Sequence, residues 1–401
     1  MRNTPFKLFD AAEKLVRRSG IPTYLRSLFG LDWQNSDKPR FAYNKPHPVS
    51  GADIALAARL IAAYRRAAGV AAAADISEIW GRAYARHWQA LARCLADGEP
   101  KALAALLANM FREAFMWGIS SADIVRDPLQ RALIERQTLL HLARLCEYLG
   151  LVNSEAAEQG PRRFAFNDGY DAMLSRLEAA LGTSLGFPDI GASYGLAFAG
   201  GMITPEEPED LYVALRFAAA IDRVLAGSRP RVNVLEIGAG SGGTCFAFLR
   251  LRRIPAGSYT IIDLPMASVL QGYFLAKALP DHELVLFGEA PTRSETSIRL
   301  LPPQGLAQIA AGATHAVLNE NSMPEMSEAV VGGYLKWIAT AVDGLFFSCN
   351  HEAPNGQVWV SRLAGTTPGL RRIERTPSWV RPGYVEEIYA TAGAAGPRSL
   401  A

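Results

Sequence analysis

The run Val234-Leu-Glu-Ile-Gly-Ala-Gly-Ser-Gly-Gly-Thr244 constrains this chain more than any other segment. An apolar stretch ends in glycines at 238, 240, 242 and 243, so a buried strand turns sharply at its carboxyl end and passes the chain to a helix. Glycine is needed where such a turn takes φ to positive values and where backbone approaches a ligand with no Cβ between them. A parallel βαβ unit uses this turn, with its ligand held beyond the strand and against the start of the helix.

The second half of the chain repeats the alternation. Strands are predicted over residues 232–237, 259–262, 284–287, 316–318 and 345–348, with helices over 244–252, 265–279 and 323–342. Residues 358–362 and 384–389 supply closing antiparallel strands, and Thr204-Pro-Glu-Glu-Pro-Glu-Asp210 opens a helix that runs to about residue 226. Upstream, residues 51–149 are rich in alanine, leucine and arginine, with apolar side chains at helical spacing as in Ile54, Ala57, Ala58 and Ile61. Breaks at Gly69, Gly98, Gly118 and Pro128 predict four or five helices, and the stripe Met110, Phe111, Phe115, Met116, Trp117 reads as their packing. Residues 182–204 carry six glycines and read as a loop-rich connector. The expected organisation is a helical N-terminal domain over 1–205, including that connector, and an α/β domain with a doubly wound sheet over 206–401.

Composition narrows the function. The 41 Lys and Arg residues against 39 Asp and Glu residues leave a formal charge of +2, too little for a field that holds nucleic acid. Cys94, Cys146, Cys245 and Cys349 are far apart, so neither a zinc knuckle nor a disulfide framework is expected, and a reducing cytoplasm fits. No stretch is apolar for long enough to predict a signal peptide or a membrane span. A small-molecule ligand is the expected partner.

The spacing Gly238, Gly240, Gly243 satisfies GxGxxG, so the glycines alone leave a dinucleotide open. Glu236 separates the alternatives, because an acid two places before the first glycine resembles the E/D-x-G-x-G motif of Rossmann-like methyltransferases. It would repel a pyrophosphate and tolerate a cationic sulfonium. Asp263 ends the next strand, where a carboxylate can accept both ribose hydroxyls; it can equally cap the helix that begins at Pro265. The expected cofactor is S-adenosylmethionine, held by Glu236, Gly238, Ala239, Gly240, Asp263, Leu264, Gly288 and Asn319. The words Asp263-Leu-Pro, Asn319-Glu-Asn-Ser-Met-Pro-Glu-Met326 and Phe347-Ser-Cys-Asn350 resemble a bacterial family of sugar O-methyltransferases. The likeness reaches the first half through Ser77-Glu-Ile-Trp80 and residues 191–195, although this chain has Ala192-Ser193-Tyr194 where the family tends to have Asn-Pro before the aromatic. The resemblance implies a class I Rossmann-like methyltransferase that methylates a hydroxyl of a sugar or other small metabolite. N-methylation of a small molecule, and a non-catalytic S-adenosylmethionine-binding assembly protein, are the alternatives. In either case the helices offer a surface for a homodimer.

Ligands of open α/β sheets sit beyond the carboxyl ends of the strands, and this rule sorts the histidines. His282 and His315 precede strands, and His47, His87 and His141 belong to the helical region. His351 follows the fifth strand and is the candidate general base. Asn319 and Asn321 leave the fourth strand, Asn319 toward the cofactor and Asn321 toward the acceptor, with Tyr194, Asn350 and Glu352 as further acceptor-binding candidates. Ser322 and Glu325 fit an S-x-x-E capping box, and Met326, Val330, Tyr334 and Ile338 fit one face of the helix it would start. The ligand edge, read as Asn319, Glu320, Asn321, Asn350, His351 and Glu352, is poor in aspartate, so no obligatory metal is expected.

Overall fold

The computed structural model describes residues 40–70, 77–116, 128–152, 169–225, 228–292, 296–352 and 358–392. Its first half contains β1 (Arg40–Tyr43), α1 (Gly51–Ala68), α2 (Glu78–His87), α3 (Gln89–Asp97), α4 (Pro100–Leu107), α5 (Pro128–Tyr148), α6 (Tyr170–Leu181), β2 (Tyr194–Phe198) and β3 (Gly201–Ile203). The second half runs α7 (Glu207–Leu225), β4 (Val232–Ile237), α8 (Gly243–Leu251), β5 (Ala256–Ile262), α9 (Pro265–Ala278), β6 (Glu283–Val285) and β7 (Ser297–Leu301). It continues with β8 (Thr314–Glu320), α10 (Glu328–Ala341), β9 (Val342–His351), α11 (Val360–Thr366), β10 (Leu370–Pro377) and β11 (Tyr384–Thr391).

The main sheet has the order β10-β11-β9-β8-β4-β5-β7-β6. β4 pairs in parallel with β5 on one side and with β8 on the other, so the winding reverses at β4. That reversal opens a crevice beyond the carboxyl ends of β4 and β8, which is where a doubly wound sheet takes its ligand. β11 runs antiparallel between β9 and β10, closing the sheet. The mostly parallel sheet with flanking helices is the Rossmann-like architecture expected from the sequence. Its central strands are apolar because both faces are covered: Val234, Leu235 and Ile237 of β4 are buried, as are Ala316, Val317 and Leu318 of β8. One face packs with α7, α8 and α9 into a large cluster that also takes in Leu60, Trp88, Leu103 and Phe111 from the first half. The helices of the first half and the sheet therefore share one apolar core. The other face packs around Val331, Leu335 and Ile338 of α10.

Several local expectations change. The strand beside β5 is β7, and the apolar run read as a third strand forms only the short edge strand β6. Residues 358–362 enter α11 instead of a strand; the edge strand is β10, whose sequence LRRIERTP is largely charged because most of it is exposed or half-buried. The glycine-rich connector is not simply loop, since β2 pairs with both β1 and β3 in a small antiparallel sheet. The breaks at Gly69, Gly98 and Pro128 delimit helices, with Gly98 at φ +73° ending α3, and Met110, Phe111, Phe115 and Met116 are all buried. Trp117 and Gly118 lie outside the described residues. Among the described residues, no helix is long and apolar enough to cross a membrane.

Candidate functional site

The crevice at β4 is a cleft of about 1270 Å³, open solvent included, framed by the glycine loop. Gly238, Gly240 and Gly242 have φ of +72°, +57° and +90°, a region that Cβ-bearing residues rarely adopt. At Gly238 the space is also closed, since a Cβ would lie 2.2 Å from Ser322 Oγ. Ser322 Oγ donates to the Ile237 carbonyl at 2.9 Å and so fixes the chain just before the turn.

Two carboxyls line the cleft beside this loop. Glu236 is 2% exposed, accepts a hydrogen bond from the Tyr259 hydroxyl at 2.8 Å through Oε2, and is pushed up to about 8 by burial. Asp263, beyond β5, accepts from the Leu264 backbone N–H at 2.7 Å and from Gln271 Nε2 at 2.6 Å. Burial raises its pKa to about 6, against the lowering effect of those donors. Leu264, Ala267 and Pro303 line the neighbouring wall. A carboxylate for a ribose diol, flanked by apolar side chains for a flat base, fits an adenosyl group.

The cleft brings together Glu236, Gly238, Ala239, Gly240, Asp263, Leu264 and Asn321 of the expected residues. Asn321 adopts φ +53° and its Oδ1 accepts from the Tyr384 hydroxyl at 2.7 Å. The other expected residues lie elsewhere, each for a visible reason. Asn319 is fully buried: it donates to the Ile237 carbonyl and to Ser322 Oγ, and accepts from Asn350 Nδ2 at 2.9 Å. Asn319 and Asn350 thus brace β8 against β9 behind the loop, and neither lines the cleft. Gly288 follows the edge strand and packs on Arg66, whose Nε would lie 2.4 Å from a Cβ there. Glu352 is taken up by Arg375 at 2.8 Å and by Ser361. Tyr194 is buried beside Phe41 and Tyr43, and with Phe111 and Phe187 it lines a small side chamber that shares Glu206, Asp210 and Ser241 with the cleft. His351 does not line the cleft; its ring packs edge-on against Tyr384 at 5.6 Å, and burial together with Arg381 lowers its pKa.

The capping box does not form. Ser327, not Ser322, caps α10, accepting from the Val330 N–H, while Glu325 accepts from Trp80 Nε1 at 2.8 Å. Met326 lies before the helix and lines the cleft. The ligand edge read as poor in aspartate gains further acids, because Glu206, Glu209 and Asp210 reach it from the start of α7 and join Glu320. In the sequence this acidic run carried the ordinary signal of a helix start. Arg381, from the turn between β10 and β11, pairs with Glu209 at 2.7 Å and stacks over Tyr384. Burial raises the pKa of Glu209, Asp210 and Glu320, and their mutual repulsion adds to it for Asp210 and Glu320. Ser77, Trp80 and Tyr84 bring the start of α2 onto the same cleft. Among the described residues, no group of three His, Cys, Asp or Glu side chains is arranged to hold a metal ion.

The doubly wound sheet, the glycine loop and the paired carboxyls define a Rossmann-like chain with a ligand cleft at its switch point. No protein-family model matches the sequence, and no characterised protein matches it. Among solved structures, a mitomycin 7-O-methyltransferase matches at 18% identity and a TM-score of 0.32, over 46% of this chain and 55% of its own. A Burkholderia thailandensis 1,6-didemethyltoxoflavin N1-methyltransferase, solved with S-adenosylhomocysteine, matches at 18% identity and 0.30, over 45% and 79%. A Bradyrhizobium japonicum N-methyltransferase, also with S-adenosylhomocysteine, matches at 13% identity and 0.32, over 47% and 93%. The Rossmann-like architecture rests on the strand order and the glycine loop.

Proposed function

We propose that the chain is an S-adenosylmethionine-dependent methyltransferase acting on a small acceptor. The observation that carries this reading is the placement of Glu236 and Asp263 beside the positive-φ glycine loop, in one cleft. A dinucleotide would bring its pyrophosphate to a loop edged by buried acid, an unfavourable juxtaposition, whereas a sulfonium is favoured there. Bound in this cleft, the cofactor supplies a methyl group already activated for transfer to an acceptor lone pair. The protein's part is then alignment and exclusion of water. Asp263 holds the ribose, Trp80 and Tyr84 cover the cleft, and Asn321, fixed by Tyr384, orients the acceptor. The resemblance noted above supports a sugar hydroxyl as the acceptor group, while the acidic wall favours an acceptor that carries basic nitrogen. Four unpaired cysteines support action in the cytoplasm.

Calorimetry with S-adenosylmethionine, S-adenosylhomocysteine and NADH tests the assignment. The two adenosyl ligands should bind at micromolar concentrations or better and NADH should not. NADH binding in their place would overturn the reading. Consumption of labelled S-adenosylmethionine with an acceptor separates an enzyme from a protein that only holds the cofactor.

A further inference from the structure

Seven carboxyl side chains line the cleft, against one lysine or arginine, Arg381, among the described residues. Some are matched internally. Glu209 meets Arg381, Glu325 takes the Trp80 N–H, and Asp263 takes Leu264 and Gln271. Asp210 and Glu320 are matched differently: both lie against one hydroxyl, Thr244 Oγ1, at 3.1 and 2.8 Å, and Glu320 also shares a side-chain hydrogen bond with Glu209. A hydroxyl has one proton to donate, so it serves both acids only where one of them is itself protonated, the state toward which burial and the neighbouring carboxyls push Asp210 and Glu320 in the absence of a cation. The approach is also built into the loop, because a Cβ on Gly243 would lie 2.2 Å from Asp210 Oδ2. Independently, Glu236 is 2% exposed in the same cleft, and only one of its carboxyl oxygens has a hydrogen-bond partner among the described residues. Its second oxygen is left for a ligand, and a cation placed there lets the buried acid ionise. The cofactor's ammonium and carboxylate cancel, which leaves its sulfonium as net charge for Glu236 and nothing for Asp210 and Glu320. Trp80, Tyr84 and Tyr334 add aromatic rings to the surrounding wall.

We propose that the acceptor carries a protonated amine, recognised by the carboxyls of Asp210 and Glu320; this rests on the methyl-transfer reading of the same cleft. A neutral sugar is then a poor acceptor and an amino sugar or other basic metabolite a good one, because a charge-assisted N–H donor satisfies both carboxyls in their ionised form, where a hydroxyl does not.

The test uses the full chain with methyl-labelled S-adenosylmethionine and a polar metabolite extract, split by cation exchange at neutral pH into retained and unretained pools. Label should enter products of the retained pool at least about tenfold faster than the unretained one, and those products should themselves be retained. Glu320→Gln and Asp210→Asn should each cut that labelling about tenfold or more while S-adenosylhomocysteine affinity stays within about threefold, which also shows that the variants fold. Label chiefly in the unretained pool, or full labelling by both variants, overturns the proposal. So does a fall in S-adenosylhomocysteine affinity that matches the loss of labelling, because the two acids would then be holding the cofactor. Label in neither pool overturns methyl transfer itself, and this proposal with it, so the two failures are distinguishable.

Discussion

Gln271 donates from Nε2 to Asp263 Oδ2 at 2.6 Å and to the Gly240 carbonyl at 3.1 Å, so one side chain of α9 ties the end of β5 to the glycine loop of β4. With Oδ1 fixed by the Leu264 N–H, the Asp263 carboxylate is oriented before any ligand arrives. Asp263→Ala should therefore weaken S-adenosylmethionine binding by about 1.5 to 3 kcal/mol and leave the fold intact. Calorimetry and circular dichroism on both proteins check this; equal affinity in a folded variant would remove Asp263 from the site. Gln271→Ala should have a smaller effect in the same direction, because it loosens the carboxylate without deleting it.

The buried acid gives the cofactor a pH signature. With its pKa pushed up to about 8, Glu236 holds a proton at neutral pH in the ligand-free protein. A cationic ligand favours the ionised form, so affinity for S-adenosylmethionine should rise as pH increases toward about 8 and level off above it, by at most about tenfold per pH unit. S-adenosylhomocysteine lacks the sulfonium charge and should show a shallower rise. Titrations across this range measure both slopes, and Glu236→Gln should flatten the difference between them. Stability runs the opposite way: a raised carboxyl contributes stability below its unfolded pKa, lost as pH rises through the folded value. The ligand-free protein should melt lower at about pH 9 than at about pH 6, with a smaller drop in Glu236→Gln.

What the sequence revealed and what it hid follow from the range of each signal. The strand–glycine–helix turn and the acid ending β5 are local, so Glu236, Gly238, Gly240 and Asp263 were legible. β7 and β10 were not: β7 interrupts its apolar run with Arg299, and β10 lies on an edge and keeps charged side chains in solvent. Gly288 was misplaced for the same reason, because taking β6 as the inner strand moved the inferred wall one strand outward. Asn319 and Asn350 stood where a ligand-edge rule finds polar residues, but the rule does not say which way a side chain turns, and both turn behind the loop. The pairs Glu209 with Arg381 and Trp80 with Glu325 join positions separated by 172 and 245 residues, and no local pattern marks them.

His351 shows the cost of reasoning from an edge alone. It is the last residue of β9, at the ligand end, but its ring packs on Tyr384 and it does not line the cleft. His351→Ala should therefore retain methyl transfer within about tenfold of the parent, short of the 10² to 10⁴ expected for loss of a positioned base. Tyr384→Phe removes the hydroxyl that holds Asn321 and should raise the acceptor KM more than it lowers kcat. Full kinetics with pH profiles for the two variants decide between these roles. A loss of about 10² or more in His351→Ala, together with loss of the acidic limb of the profile, would restore the histidine as base.

The roof of the cleft is held more lightly than its floor. Of the residues of α2, only Ala83 is buried, so the helix depends on half-buried side chains for its position. Trp80 is the one that reaches across, donating Nε1 to Glu325 Oε2 at 2.8 Å. Burial raises the Glu325 pKa and this donor opposes it, so removing the donor leaves a desolvated carboxyl without its partner. Trp80→Phe keeps a ring of similar character and deletes only the N–H. It should speed release of S-adenosylhomocysteine by about five- to tenfold, the equivalent of about 1 to 1.4 kcal/mol, with little change in the association rate. Glu325→Gln, which still accepts from an indole N–H, should behave closer to the parent. Stopped-flow release by competition measures both. Parent-like release from Trp80→Phe would mean that α2 is held over the cleft by its apolar contacts alone, with Trp80 packing edge-on against Trp88 and tilted against Tyr84 in place of a latch on Glu325.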